Sequence, residues 1–160
     1  MRVTISEDTF PEIYAGICAY AAGIIDGEGC IGIEKSTRGS DYRWRQNKRG
    51  YRMSVYVTVC NTNLELLEWL EQRFGGYIKE ERHRHLGWKR AWAWRLCSIQ
   101  AGNLLKLVIP YLIVKRRQAE IAIELQNTKI AGKPLSDEQD AYQISKYMAM
   151  RELNKKGGIS

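Results

Sequence analysis

Residues 26–29 read Asp-Gly-Glu-Gly, two carboxylates bracketed by glycines, directly after the apolar and small run Tyr20-Ala-Ala-Gly-Ile-Ile25. The run predicts a helix, which puts Asp26 and Glu28 at its C-terminal end. Negative charge there opposes the helix dipole. A costly feature in an otherwise consistent stretch marks a candidate functional site, and carboxylates are hard oxygen ligands. The bland alternative for the acidic pair alone is a solvated turn. Other reactive groups make weaker cases. His83 and His85, at the end of a predicted strand and expected to be exposed, could be taken for metal ligands only on weak grounds. Cys18, Cys30, Cys60 and Cys97 form no CxxC pair and no zinc spacing, and read as reduced, partly buried thiols.

Charge supplies a second clue. Lys and Arg number 25 against 18 Asp and Glu, a net charge of +7. Arg38, Arg43, Arg45, Lys48, Arg49 and Arg52 crowd one segment, and Lys79, Arg82, Arg84, Lys89, Arg90 and Arg95 another. Such clustering suits a polyanionic partner. No stretch is long and apolar enough to cross a bilayer, and Met1 to Pro11 has no signal-peptide core. The expected setting is the cytoplasm of a prokaryote or an organelle that encodes the protein, with no membrane partner. At 160 residues the chain predicts one domain over 1–154 and a disordered tail over 155–160.

The elements that must position these groups follow from periodicity. A helix over about 12–25 places Ile13, Ile17, Tyr20, Ala21 and Ile24 along one stripe. Ala15, Gly16, Ala19, Ala22 and Gly23 form a small-residue side, which would let another helix approach closely. A strand follows from Cys30 to about Arg38, then a polar, charged, aromatic segment over 39–50. Residues 52–60 alternate cleanly, with Met53, Val55, Val57 and Val59 on one face and Arg52, Ser54, Tyr56 and Thr58 on the other. Thr62 to Glu65 has capping-box spacing and opens a helix that Gly75-Gly76 ends. Two more strands are expected over 77–84 and 89–98. A short helix then ends at Pro110, a longer one covers about 114–128, and a capping box at Ser136 to Gln139 starts a last helix to about Asn154. The sheet should have one apolar face and one polar, basic face.

The stretch Ala21 to Gly29, AAGIIDGEG, resembles the LAGLIDADG motif of homing endonucleases. The resemblance implies an α+β fold of αββαββα order with a saddle-shaped antiparallel sheet, here with an additional C-terminal helix. It implies a metal-dependent, site-specific double-strand DNA endonuclease of the intron-homing kind. The motif occurs once, which implies a homodimer joined through the motif helix at Ala15, Ala19, Ala22, Gly23 and Asp26. The metal ligand carried over is Glu28, with Gly27 beside it, and the implied ion is Mg²⁺. Many members carry Asp at that position, so Glu28 is longer by one methylene. Asp26 is implied to hold the helix pair before any catalytic part. Asn61, at the end of the second strand, matches the polar residue that orients water near the metal. Lys115, after Pro110-Tyr-Leu-Ile-Val, matches the family's lysine, which is implied to stabilise developing phosphate charge or tune a water, with a plain phosphate contact as the alternative, and Arg117 nearby is implied to share that field on the DNA. The basic residue found early in the family's second helix is absent; Glu65 lies in that region.

The polar sheet face is then the implied DNA-reading surface. It comprises Glu34, Ser36 and Arg38 from the first strand, Arg52, Ser54, Tyr56 and Thr58 from the second, Tyr77, Lys79, Glu81 and His83 from the third, and Arg95 from the fourth. Arg43, Arg45, Lys48 and Arg49 are expected on phosphates. The rival readings are an RNA-splicing maturase and a DNA-binding protein of the same fold that no longer cuts.

Overall fold

The computed structural model describes residues 11–37, 49–82, 87–129 and 133–155. The chain runs α1 (Pro11–Glu28), β1 (Gly29–Thr37), β2 (Tyr51–Asn61), α2 (Leu64–Phe74), β3 (Tyr77–Glu81), β4 (Ala91–Cys97), α3 (Ser98–Val108), a 3-10 turn (Ile109–Tyr111), α4 (Arg116–Asn127) and α5 (Asp137–Leu153). The four strands form one antiparallel sheet in the order β1-β2-β4-β3. This is the expected α+β order, with two helices after α3.

Strand register creates the core. Ile31 pairs with Val57 and Ile33 with Val55. Leu96 pairs with Val57 and Trp94 with Val59. All of these side chains are buried on one face, as period-two packing requires. They meet Ala21, Ala22 and Ile25 of α1, Leu67 and Leu70 of α2, and Leu104, Leu105 and Val108 of α3. Ala119, Ala122 and Leu125 of α4 and Met150 of α5 complete the same core. Trp94 is fully buried, with its indole N–H donating to Gly75 O at 2.8 Å. The tryptophan is therefore a core residue with its polar atom satisfied.

The structure departs from expectation in four places. Helix α1 continues through Asp26 to Glu28, so both acids belong to its last turn. Its buried side is Cys18, Ala21, Ala22 and Ile25, and Ile13 and Tyr20 point outward at 52% and 55% exposure. The small Ala21 and Ala22 let α1 lie close on the sheet, which turns the helix away from the stripe that counts the larger side chains. Asn63, and not Thr62, caps α2, its side chain accepting from Leu66 N at 3.2 Å. Strand β3 ends at Glu81 and β4 begins at Ala91. The capping box of α5 forms as expected between Ser136 and Gln139. At the other end of α5, Asn154 Nδ2 donates to Ile31 O at 2.8 Å and so covers part of the edge of β1. No described helix is long and apolar enough to cross a membrane.

Candidate functional site

Helix α1 passes into β1 without a loop. A Cβ on Gly29 would stand 2.8 Å from Ile25 Cα and O, so only glycine lets the chain fold back over the last helical turn. That turn projects Glu28 outward at the end of the sheet where β1 begins and β2 finishes.

Asn61, the last residue of β2, donates its amide N–H to Glu28 Oε2. Its Oδ1 accepts from Asn63 N at 2.8 Å. Both ends of the amide are thus used: the start of α2 holds Asn61, and Asn61 holds the carboxylate. A residue that bonds a ligand in this way fixes its orientation.

Asp26, in the last turn of α1, accepts from Ile113 N at 2.7 Å and Lys115 N at 2.9 Å. Partial burial works against its ionisation. The backbone N–H groups of Ile113, Lys115 and Val114 and the Lys115 charge outweigh that, so the carboxyl sits below its ordinary range. The Lys115 ammonium donates to Asp26 O, one of the carbonyls left over at a helix C-terminus. Three distant parts of the sequence, at 28, 61 and 115, therefore meet at one helix end. Asp26 is the clasp that brings the third of them in.

The donor set is hard oxygen: the Glu28 carboxylate and the terminal peptide oxygens of α1, with Gly27 among them. Among the described residues no group of three His, Cys, Asp or Glu side chains stands together. One chain thus offers a single carboxylate to a divalent cation, and a second copy of this helix end would make the set adequate. The donor types suit a hard divalent cation, of which one chain supplies one carboxylate.

The outward stripe of α1 carries Gly16, Ala19, Gly23 and Gly27 beside Tyr20, and a Cβ on any of these three glycines would meet nothing within 4 Å. The expected contact set is corrected at Ala22, which is fully buried beneath its own sheet and cannot touch another chain. Ala15 is half-buried, and Asp26 is engaged by the segment 113–115.

The strand register places Glu34, Ser36, Arg52, Ser54, Tyr56, Thr58, Tyr77, Lys79, Glu81 and Arg95 on the sheet face opposite the core. Arg95 Nη2 reaches Glu34 Oε2 at 2.8 Å across β2, and its guanidinium lies 4.3 Å from the Tyr56 ring centre. Arg38, Arg43, Arg45, Lys48 and His83 lie outside the described residues. Arg49 is bound by Asp140, which also accepts from Tyr51 Oη at 2.8 Å. Arg117 pairs with Glu120 one turn along α4 at 3.0 Å.

Two features escaped sequence reasoning. Lys129, just beyond α4, is pushed down to about 8 by burial and by the Arg52 and Arg49 guanidiniums. Nothing in the local sequence shows this, because the three residues come from separate elements. Gly32 lies under Tyr56, and a Cβ there would stand 2.5 Å from the ring. An isolated glycine within a strand was the available signal for that close approach.

No protein-family model matches the sequence, and no curated protein matches it. Solved structures do. An archaeal intron-encoded homing endonuclease, I-Vdi141I complexed with DNA, superposes with a TM-score of 0.71 at 20% identity, over 92% of this chain and 87% of that one. The homing endonuclease I-CvuI, in complex with its target in the presence of Ca, gives 0.69 at 17% identity over 93% and 88%. A LAGLIDADG homing endonuclease, I-GzeII with its DNA target, gives 0.58 at 17% identity, with 84% of this chain covering 43% of that one. The fold is that of the LAGLIDADG homing endonucleases.

Proposed function

We propose that this protein is a site-specific DNA endonuclease that hydrolyses phosphodiesters in both strands of a long, pseudo-palindromic duplex site, acting as a homodimer with Mg²⁺. The observation that carries this reading is the meeting of Glu28, Asn61 and Lys115 at the end of α1, at one end of a sheet whose other face is polar and basic. The neighbours support it: I-Vdi141I and I-CvuI were solved on DNA, and I-CvuI in the presence of Ca or Mg.

The stripe Gly16, Ala19, Gly23 and Gly27 is the contact between protomers. Small side chains let two helix backbones approach, so the two copies of Glu28 converge. Two carboxylates that close repel unless a cation stands between them. Glu28 and the Gly27 oxygen of each protomer would hold the ion, which would supply Lewis-acid chemistry for phosphodiester hydrolysis. Glu28 is the ligand, with the Gly27 oxygen beside it. Asn61 is a positioning residue that orients Glu28. The Lys115 ammonium has three N–H groups; one is used on Asp26 O, and the others can face a phosphate whose charge grows during displacement. The polar sheet face lies along the major groove, where a β-ribbon fits.

The test is Glu28→Gln. Glutamine keeps the shape and loses the charge that a hard cation requires. We expect cleavage in Mg²⁺ to fall by about a thousandfold or more, on the scale by which metal-assisted hydrolysis exceeds the unaided reaction. Duplex affinity measured in Ca²⁺ should change by less than about threefold. Cleavage at the wild-type rate would overturn the site assignment. A wild type that bound structured RNA tightly and never cut duplex DNA would overturn the reaction.

A further inference from the structure

The polar face contains one unit assembled from three adjacent strands. Tyr56 of β2 lies against Gly32 of β1, where a Cβ would collide with the ring at 2.5 Å. Arg95 of β4 stacks over the same ring at 4.3 Å. Its Nη2 donates to Glu34 Oε2 of β1 at 2.8 Å, and its Nε to Cys97 Sγ at 3.4 Å. The two charged side chains remain accessible, at 55% for Glu34 and 22% for Arg95.

An arginine used only for non-specific attraction gains nothing from being stacked, bridged and held. Its rotamer freedom, otherwise lost on binding, is already spent here, which favours geometric readout over simple charge. Two of its five N–H groups are used, and the rest can donate outward. Glu34 keeps acceptor capacity. The unit therefore offers donors and an acceptor side by side. A G·C pair offers the complement in the major groove: the N7 and O6 acceptors of guanine, then the N4 amino donor of cytosine. An A·T pair puts its donor between two acceptors and does not match. The Arg95 guanidinium lies over Tyr56, five residues along β2 from Asn61. That is about 17 Å at strand rise, or about five base pairs at 3.4 Å each.

Resting on the endonuclease reading, we propose that Glu34 and Arg95 act as one base-pair reader, on the Tyr56 platform, that specifies a G·C pair about five base pairs from the scissile phosphate in each half-site. Glu34 both accepts from cytosine and aims Arg95 at guanine, so neither side chain reads independently.

The experiment is selection of bound duplexes from a random library in Ca²⁺, using the full chain as wild type, Arg95→Gln and Glu34→Gln. The salt dependence of affinity is measured for each. In the wild type we expect one position in each half-site to favour G·C by about tenfold or more, the usual worth of a bidentate contact. Arg95→Gln should lose that preference and keep the others. Glu34→Gln, an exposed change of equal size, should weaken it several-fold at the same position only. An unchanged profile in either variant would overturn the reader. So would a uniform loss of affinity with a salt slope lower by about one and no change in base preference, the mark of a phosphate contact. A wild type that enriched no duplex would overturn the endonuclease reading itself, whereas the other failures leave that reading standing.

Discussion

Asn61 bonds Glu28 with its nitrogen and the α2 backbone with its oxygen, and this double engagement defines its effect on chemistry. Without it the carboxylate would sample other rotamers, and metal affinity would fall before chemistry did. Asn61→Ala should raise the Mg²⁺ concentration for half-maximal cleavage by about ten- to a hundredfold, the usual cost of removing a ligand's supporting partner. The maximal rate at saturating Mg²⁺ should fall much less. A metal titration of cleavage separates the two. If half-saturation stayed put while the maximal rate collapsed, Asn61 would act on the reacting water and not through Glu28.

At the scale of elements, α1 has two different sides, and the proposed function gives each a task. Cys18, Ala21, Ala22 and Ile25 anchor it to the sheet, and the outward glycines leave room for a partner. Asp26 clasps the segment 113–115, so the end of α1 is tied to the approach to α4 by two hydrogen bonds. The outward side can therefore be changed without disturbing the core. Gly23→Leu places a branched side chain where a Cβ meets nothing within the chain, so the monomer should fold, and leucine's helix propensity exceeds glycine's by about 1 kcal/mol. The expected result is a well-folded monomer in sedimentation at micromolar concentration that does not cut, beside a dimeric wild type. A wild type that sediments as a monomer both with and without duplex would remove the homodimer from the proposal.

For the whole molecule, two measurements report on charge. The net charge is +7, and the described polar face carries Arg52, Lys79 and Arg95, with Glu81 and Glu34 paired to the last two. Duplex affinity should drop steeply between 50 and 200 mM salt, by about a hundredfold or more if several phosphates are neutralised. A flat response would contradict a phosphate-borne interface. The second measurement uses Lys129, held down to about 8 beside Arg49 and Arg52. An unfolded lysine titrates near 10.4, so between those values the unfolded chain binds more protons and folding stability rises with pH. Below about 8 both states carry the proton, and the penalty for charging Lys129 is present in full. Lys129→Met removes this contribution. In denaturant unfolding, the stability advantage of Lys129→Met over wild type should be larger at pH 7 than at pH 10. A difference independent of pH would mean that Lys129 is ordinarily solvated.

Local sequence determined a good deal of this protein. The alternation over 52–60 defined a strand and both its faces, because a period of two leaves no freedom about which side chains are buried. The box at Ser136 and Gln139 and the glycine pair at 75–76 marked helix ends through short-range backbone chemistry. The motif at 21–29 pointed to the fold through its resemblance to LAGLIDADG, while the cost of its two acids to local stability marked only a candidate site. Tertiary structure decided what depends on distance. Residue types alone could not tell that α1 would be rolled so that Ala22 is buried and Tyr20 exposed, because that depends on how closely small residues let a helix sit on its sheet. The capping-box spacing pointed to Thr62, and the path out of β2, with Asn61 bonded to Asn63 N, put Asn63 at the cap instead. Lys129 gained its environment from residues about eighty positions away, and Arg95 met Glu34 across an intervening strand. Such pairings depend on which strands lie side by side, and the order β1-β2-β4-β3 is settled only when the whole core closes.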